Sequence, residues 1–442
     1  MQSKARTILV ATMFAVVALS RRARGHMSPE PPLSKDQALA MLLAAPKASP
    51  LRSSIEKAQK AVSEKPDDLR RLEALGRLFI SEARVIHEER GYQLAEIAGR
   101  LMEQVEVGNP LALLLRGHAL LTMHRFHDAE ELARVLLTKR QDMVDHALLG
   151  DALMEQGRID ESLPSYQAMI DAKPCLPSYS RIAHVRWLKG DVDGAIEMME
   201  QAVACGSYRD PEPMAWCTTR LAFFVWQKGN ADAARSLAER AMEIAPNYPQ
   251  ALLIKGRVML AQKDARSAVK ALWLAAQQSP LPEVLWALIE AQRAAGDDAA
   301  ATIARLSSTG EAGDPRSFAI YLATIGADTD RALDLAKAEM QARRDVFSWD
   351  ALAWAQYAAG ETEAAMISLR KAMAEGTHDA RLFLHAAVIA RSAKDAQASE
   401  WLAQATAMRA LLLPAEQAFL SSSSAHSAAG NSRSITPQVV IK

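Results

Sequence analysis

The sequence comprises 442 residues, of which 50% are hydrophobic, 5% aromatic and 24% charged. Its 52 lysines and arginines are balanced by 52 aspartates and glutamates, so no global field favours nucleic acid or an anionic membrane, and a dedicated nucleic-acid binder is not expected. Alanine, leucine, methionine and glutamate are abundant and strand-like alternation is scarce, which predicts an all-α fold. The three cysteines form no CxxC pair, which argues against a zinc ribbon or a thioredoxin-like redox site.

The N-terminus resembles a targeting segment. Lys4 and Arg6 precede the largely apolar run TILVATMFAVVALS, which is short for a bilayer span and typical of a signal-peptide core. Arg21 and Arg22 would be unfavourable after a cleavage site. We predict a signal-peptide-like or anchor segment over residues 1–25 and export to the periplasm or the medium, with membrane anchoring or a mis-assigned start as alternatives. Residues 26–66 are predicted to be a Pro-rich linker and short helices.

From residue 67 onward the chain repeats itself. Close variants of LKGDVDGA recur, and each has a glycine or lysine at its turn; these turn residues are Gly157, Gly190, Gly229, Lys263, Gly296, Gly360 and Lys394. Most spacings are 33 or 34 residues, and the one of 64 is close to two periods. A small or apolar residue stands seven positions before each turn, and alanine or serine stands five after it. Small residues there let two helices cross closely, so each unit is predicted to be an antiparallel helix hairpin.

This pattern resembles the tetratricopeptide repeat, best in HALLGDALMEQGRIDESLPSYQAMIDAKP and WDALAWAQYAAGETEAAMISLRKAM. The resemblance covers most of residues 67–413 and extends to a family of bacterial, often exported, tetratricopeptide proteins. It implies a right-handed superhelical solenoid of about ten hairpins. Gly76 and Gly117 are 41 residues apart, and the seven extra residues are about two helical turns, so the first helix there is expected to be longer. Ala332 marks a shortened hairpin inside the 64-residue gap. Residues 414–442 lack an apolar period and are predicted to be a disordered tail.

Catalytic and cofactor motifs are not found in the sequence. HEERG at residues 87–91 begins like a zinc-protease helix but has glycine where the second histidine should stand. His118, His124 and His127 straddle a predicted turn, so three ligands converging on a metal ion are not expected. No P-loop, nucleophile-elbow or dinucleotide-binding pattern occurs at a strand-to-helix junction. We therefore expect neither an enzyme nor a bound cofactor.

A binding surface remains as the most plausible functional site. In tetratricopeptide repeats the first helix of each hairpin lines the concave wall, and the resemblance assigns ten residues of this chain to that wall: Trp187, Trp226 and Tyr357 at the twelfth position, His184, Phe223, Arg257, Glu290 and Trp354 at the ninth, and Trp216 and Phe347 at the second. Aromatic residues and arginine are the usual anchors of partner peptides. Packing between neighbouring repeats is the competing interpretation for each of them.

The sequence thus predicts a non-enzymatic scaffold that binds a protein or peptide partner in a concave groove. The alternative is a carrier or regulator that holds a small molecule or a polysaccharide between aromatic faces. Membrane association is expected only through the N-terminal segment, and the lysine and asparagine clamp for a partner's terminal carboxylate is not apparent. In an exported chain Cys205 and Cys217 could form a disulfide across the loop GSYRDPEP, or they could be independent buried thiols.

Overall fold

A computed structural model of the protein describes residues 33–86 and 88–429, so the predicted segment over residues 1–25 lies outside the described chain. The described residues form 23 α-helices and no β-strand, which confirms the all-α prediction. None of these helices is both long enough and apolar enough to cross a membrane. The helices divide into two compact units, one within residues 1–174 and one within residues 175–442.

The first unit contains two short helices followed by three hairpins. Its helices are α1 Lys35–Leu42, α2 Arg52–Glu64, α3 Leu69–Ile86, α4 Arg90–Val105, α5 Pro110–Thr122, α6 Phe126–Lys139, α7 Met143–Glu155 and α8 Ile159–Ala172. Helix α1 contacts α4, and α2 contacts α3, so the short helices cover the first hairpin with the fully buried side chains of Leu42 and Ile55. Helix α3 has 18 residues whereas α5 has 13, which confirms the lengthened first helix.

The second unit contains seven hairpins and one further helix. Its helices are α9 Leu176–Leu188, α10 Val192–Ala204, α11 Pro211–Gln227, α12 Ala231–Ile244, α13 Pro249–Ala261, α14 Ala265–Gln278, α15 Pro282–Ala295, α16 Ala300–Gly313, α17 Pro315–Ile325, α18 Thr329–Ala342, α19 Val346–Ala358, α20 Thr362–Ala372, α21 Ala380–Ser392, α22 Ala398–Ala407 and α23 Pro414–Ala429. With the first unit this gives ten hairpins in the described chain, as predicted. The short hairpin α17–α18 contains the fully buried Ala332.

The corner between α9 and α10 explains why glycine recurs along the chain. Gly190 has a φ of +81°, a left-handed conformation that is costly for residues with a Cβ. Its N–H donates to Trp187 O and the N–H of Asp191 donates to Arg186 O, both at 2.9 Å, which ends α9 in the usual way. The Asp191 carboxylate then accepts the N–H of Gly194 at 2.9 Å and caps α10. The motif LKGDVDGA is therefore a structural corner.

Residues other than glycine adopt the same left-handed backbone conformation at corners where the repeat departs from its consensus. Lys263 and Lys394 have φ values of +66° and +57°, and His124 has +56°. The helices within a hairpin approach closely at the small positions, because a Cβ on Gly256 would lie 2.5 Å from Leu272 Cγ. Backbone geometry and close packing account for the repeat pattern without any ligand.

The second unit closes on itself around the α9–α10 corner. Thr377 Oγ1 donates a buried hydrogen bond of 2.6 Å to Leu188 O, although 189 residues separate them. Lys189 Nζ lies 2.5 Å from Glu375 Oε2. Because these contacts join the first hairpin of the unit to the loop before α21, the first helices between them enclose a common inner side.

The predicted tail beginning at residue 414 is wrong for residues 414–429, which form α23. Phe419 and Leu420 are buried, and α23 contacts α17, α21 and α22. The apolar side chains here follow no repeat period because they pack across several hairpins rather than within one. The remaining tail residues lie outside the described chain.

Candidate functional site

Most of the predicted wall residues form two groups on the inner side of the second unit. The first group surrounds Trp187, whose ring stacks on Phe347 with a centroid distance of 5.4 Å and meets Phe223 edge-on at 5.5 Å. His184 lies 5.5 Å from the same ring and Phe224 5.7 Å. We call His184, Trp187, Phe223, Phe224 and Phe347 the aromatic cluster.

Arg220, on helix α11, is held inside this cluster. Its guanidinium carbon lies 5.1 Å from the Trp187 ring centroid, 4.9 Å from that of Phe223 and 5.0 Å from that of Phe224, within cation–π range of all three. Burial lowers the pKa of Arg220 to about 10, whereas Asp379 acts to raise it. The guanidinium therefore remains charged at neutral pH.

The other charged groups near the cluster have partners of their own. Arg316 Nη1 lies 3.2 Å from Asp345 Oδ2. Burial opposes ionisation of Asp345, but Arg316 and Arg343 outweigh it and lower its pKa. Asp379 accepts hydrogen bonds from the N–H of Arg381 at 3.0 Å, the N–H of Leu382 and the side-chain amide of Gln227, the last two at 3.2 Å. Arg220 differs from these groups because it has no ion-pair partner among the described residues.

His184 is kept neutral by the same surroundings. Burial, and next the positive charge of Arg220, lower the pKa of His184 to about 3, against the opposing influence of Asp345. At neutral pH the imidazole therefore contributes an uncharged ring to the cluster.

The second group of wall residues lies under the chain's own C-terminal segment, residues 409–420. Arg257 Nη2 donates to Leu411 O at 2.6 Å, and Glu290 Oε2 accepts the N–H of Ala415 at 3.0 Å. The ring of Trp354 meets Phe419 edge-on with a centroid distance of 5.2 Å. Main-chain groups and side chains of the segment are thus both recognised by the first helices.

An ion-pair network fixes the middle of the C-terminal segment. Arg381 pairs with Glu416 through Nε and with Glu283 through Nη1, the latter at 3.2 Å. Arg257 Nη1 donates to the other oxygen of Glu283 at 2.8 Å. Burial opposes ionisation of Glu283, but Arg381 and Arg257 outweigh it and lower its pKa. Because each buried charge here has an opposite partner, the network can be accommodated in the interior.

A cavity of about 330 Å³ remains beside the C-terminal segment. Trp226, Arg257 and Lys263 line it from the repeat side, and Leu412 and Gln417 line it from the segment. The segment therefore fills this part of the inner surface incompletely.

The ten predicted wall residues differ in how exposed their side chains are to solvent. Trp187, Trp216, Trp226, Glu290 and Trp354 are buried, whereas His184, Phe223, Arg257, Phe347 and Tyr357 are half-buried. Trp216 is not part of either group. The aromatic faces are used largely against one another, as in the stack of Trp354 on His385 at 4.1 Å and on Tyr357 at 5.3 Å.

Cys205 and Cys217 are not joined by a disulfide in the structure, so of the two possibilities the independent thiols are the one observed. Cys217 is fully buried within α11 whereas Cys205, at the end of α10, is exposed, so the two side chains occupy different surroundings. Burial raises the pKa of the Cys217 thiol, which makes it an inert packing residue.

Sequence reasoning missed Arg220, Glu283, Arg381 and the C-terminal segment. Arg220 and Arg381 occupy helix positions that the repeat pattern does not assign to the groove. The segment carried a readable signal, because LLLPAEQAFL combines apolar anchors with a proline at the first position of a helix. Within residues 33–86 and 88–429, no group of three or more His, Cys, Asp or Glu side chains could hold a metal ion.

No protein-family model matches the sequence, and no curated protein matches it. Among solved structures, the chain is similar to Pseudomonas aeruginosa PilF, at 15% identity over 45% of this chain and 90% of that one, with a TM-score of 0.40. It is similar to the Thermus thermophilus protein TTC0263, at 18% identity over 43% and 99% of the two chains, with a TM-score of 0.38. It is also similar to a human IFIT1 dimer solved with PPP-AAAA, at 14% identity over 85% and 94%, with a TM-score of 0.46.

These similarities are weak, and no function follows from them. The assignment of the fold rests on the ten hairpins, the period of 33 or 34 residues and the left-handed corners of this chain. The described part of the chain has the fold of a tetratricopeptide-repeat array. In this tetratricopeptide-repeat array the inner side of the second unit carries the candidate site, and part of it is covered by the C-terminal segment.

Proposed function

We propose that the protein is a non-catalytic scaffold that holds a segment of another protein against the first helices of its repeats. The observation that carries this proposal is the C-terminal segment, which lies on these helices as a peptide would. Arg257 binds a main-chain carbonyl of the segment, Glu290 binds a main-chain N–H, and Arg381 binds the carboxylate of Glu416. A surface that recognises backbone and side chains in this way is suited to a partner peptide of similar sequence.

The ligand expected on this surface has a definite chemistry. It begins with apolar residues and a proline, enters a helix, and carries an acidic residue followed three positions later by an aromatic one, as Glu416 and Phe419 do. The alternative function, a carrier that holds sugars between aromatic faces, is less favoured. Trp187 already stacks on Phe347 and Trp354 on His385, which leaves little aromatic face for a sugar ring.

The test uses the full chain with its own segment weakened. In a variant carrying Phe419→Ala and Glu416→Gln, the ring contact with Trp354 and the ion pair with Arg381 are both lost. A fluorescent peptide of residues 408–421 should bind this variant at least about tenfold more tightly than the unaltered chain, whose tethered segment competes at high effective concentration.

The matched control is the same peptide carrying the two substitutions. It should bind the variant weakly, because it lacks the groups that Trp354 and Arg381 recognise. Equal binding of the two peptides, or no binding of either one, would show that this surface does not select peptides and would count against the scaffold.

We also propose that the chain is exported, because of the charge and apolar pattern of residues 1–25. N-terminal sequencing of the mature protein from fractionated cells tests this. A chain that begins at Met1 in the cytoplasmic fraction would contradict export.

A further inference from the structure

We propose that Arg220 is the centre of a binding site for a carboxylate with an apolar or aromatic body. The proposal begins from the cage formed by Trp187, Phe223 and Phe224, whose ring centroids lie 4.9–5.1 Å from the guanidinium carbon. Rings at these distances orient a guanidinium and offset part of the cost of burying it. They cannot replace hydrogen-bond acceptors, because an aromatic face accepts only weakly.

The hydrogen-bonding capacity of Arg220 is left unused. Nε and Nη2 are buried and have no hydrogen-bond partner, and among the described residues no carboxylate oxygen lies within 4.0 Å of the guanidinium. Buried ionised groups in proteins are normally paired and hydrogen-bonded. Arg381, another arginine of the inner side, obeys that rule, since it pairs with Glu283 and Glu416. A guanidinium held without an acceptor therefore indicates a partner that is supplied from outside the chain.

The surroundings select the class of ligand. The planar guanidinium matches the two oxygens of a carboxylate. One positive charge balances one negative charge, whereas a phosphate dianion would leave a net charge among the three aromatic rings of the cage, at a high desolvation cost. Asp345 and Asp379, the nearby acidic groups, already have partners and would repel a second charge further. A monoanion with an apolar body fits this site better than phosphate does.

The site can be reached from the surface of the unit. Arg220, His184, Phe223 and Phe347 are each half-buried, so they form a rim with accessible area, while Trp187 and Phe224 form the buried floor. On this proposal a ligand oxygen reaches Nε and Nη2 once the half-buried ring of Phe223, one of the three against the guanidinium, turns aside. This step predicts that binding alters the environment of Trp187, which Phe223 meets edge-on. The inference does not depend on the proposed scaffold function.

The experiment compares charged and neutral probes on the full chain at constant ionic strength. N-acetylphenylalanine stands for a peptide terminus, and its neutral amide is the matched control; benzoate with benzamide stands for a free small carboxylate. Tryptophan fluorescence and the melting temperature report binding. We expect each acid to raise the melting temperature and to bind at least about tenfold more tightly than its amide, as a charge-assisted hydrogen bond to arginine requires.

The variant Arg220→Met should abolish the difference between acid and amide, whereas Arg240→Met, at an exposed position of α12, should leave it intact. Preference for N-acetylphenylalanine over benzoate would identify a peptide terminus as the source, and the reverse a small molecule. Equal effects of acid and amide on the unaltered chain would overturn the proposal whether or not the variants fold. Tighter binding of phenyl phosphate than of either acid would overturn the assignment to carboxylates.

Discussion

The closure of the second unit can be tested at Gly190. A Cβ at this position would lie 2.5 Å from the carbonyl oxygen of Gly376, so Gly190→Ala forces the α9–α10 corner away from the loop before α21. Gly229 is the matched control, because it has a similar φ of +87° but nothing within 4 Å of a Cβ. The left-handed conformation should cost about 1 kcal/mol of unfolding free energy in either variant.

Gly190→Ala should lose further unfolding free energy that Gly229→Ala keeps. Overpacking against a backbone atom typically costs about 1–3 kcal/mol, and separation of the corners weakens the buried hydrogen bond from Thr377 to Leu188 O, worth about 1 kcal/mol. We expect Gly190→Ala to lower the unfolding free energy by about 3 kcal/mol more than Gly229→Ala does. Urea unfolding measures the difference, and amide hydrogen exchange around residues 375–379 should accelerate in Gly190→Ala only. Equal losses with unchanged exchange would refute the closure.

Three further predictions follow from burial. His184 has a pKa of about 3 in the folded state and an ordinary value of about 6.5, so as pH falls from about 6.5 toward 3 only the unfolded state takes up the proton. The free energy of unfolding should therefore decrease over this range, by at most about 1.4 kcal/mol per pH unit. Urea unfolding of His184→Gln should lack that contribution to the pH dependence. Trp187→Ala should cost about 3–5 kcal/mol, whereas intact thermal melting with lost ligand binding would show that Trp187 is a binding residue rather than core. A thiol reagent should modify Cys205 in the native protein and reach Cys217 only after unfolding, as peptide mass spectrometry can establish.

The hairpins could be predicted because their determinants are local. A turn glycine, a capping aspartate such as Asp191 and a small residue such as Gly256 act within one repeat of about 34 residues, so the period alone reveals them. The shortened hairpin at Ala332 was predicted for the same reason.

The inner side of the second unit could not be predicted in the same way. The contact between Leu188 and Thr377 depends on the accumulated rotation of the six hairpins from α9–α10 to α19–α20, which no local pattern encodes. Arg220 looked like an ordinary helical arginine, since its isolation from carboxylates is a property of distant residues. Phe419 carries no repeat period, so its segment resembled a tail although it lies against Trp354.

The contact of the α9–α10 corner with residues 375–377 also bears on how this chain can evolve. An open repeat array tolerates the gain or loss of a unit, because each unit contacts only its neighbours. In the second unit the deletion of one hairpin between α10 and α21 would carry Thr377 away from Leu188. The number of intervening hairpins is therefore a fixed parameter here, and duplication of repeats should be accommodated more readily outside residues 176–392.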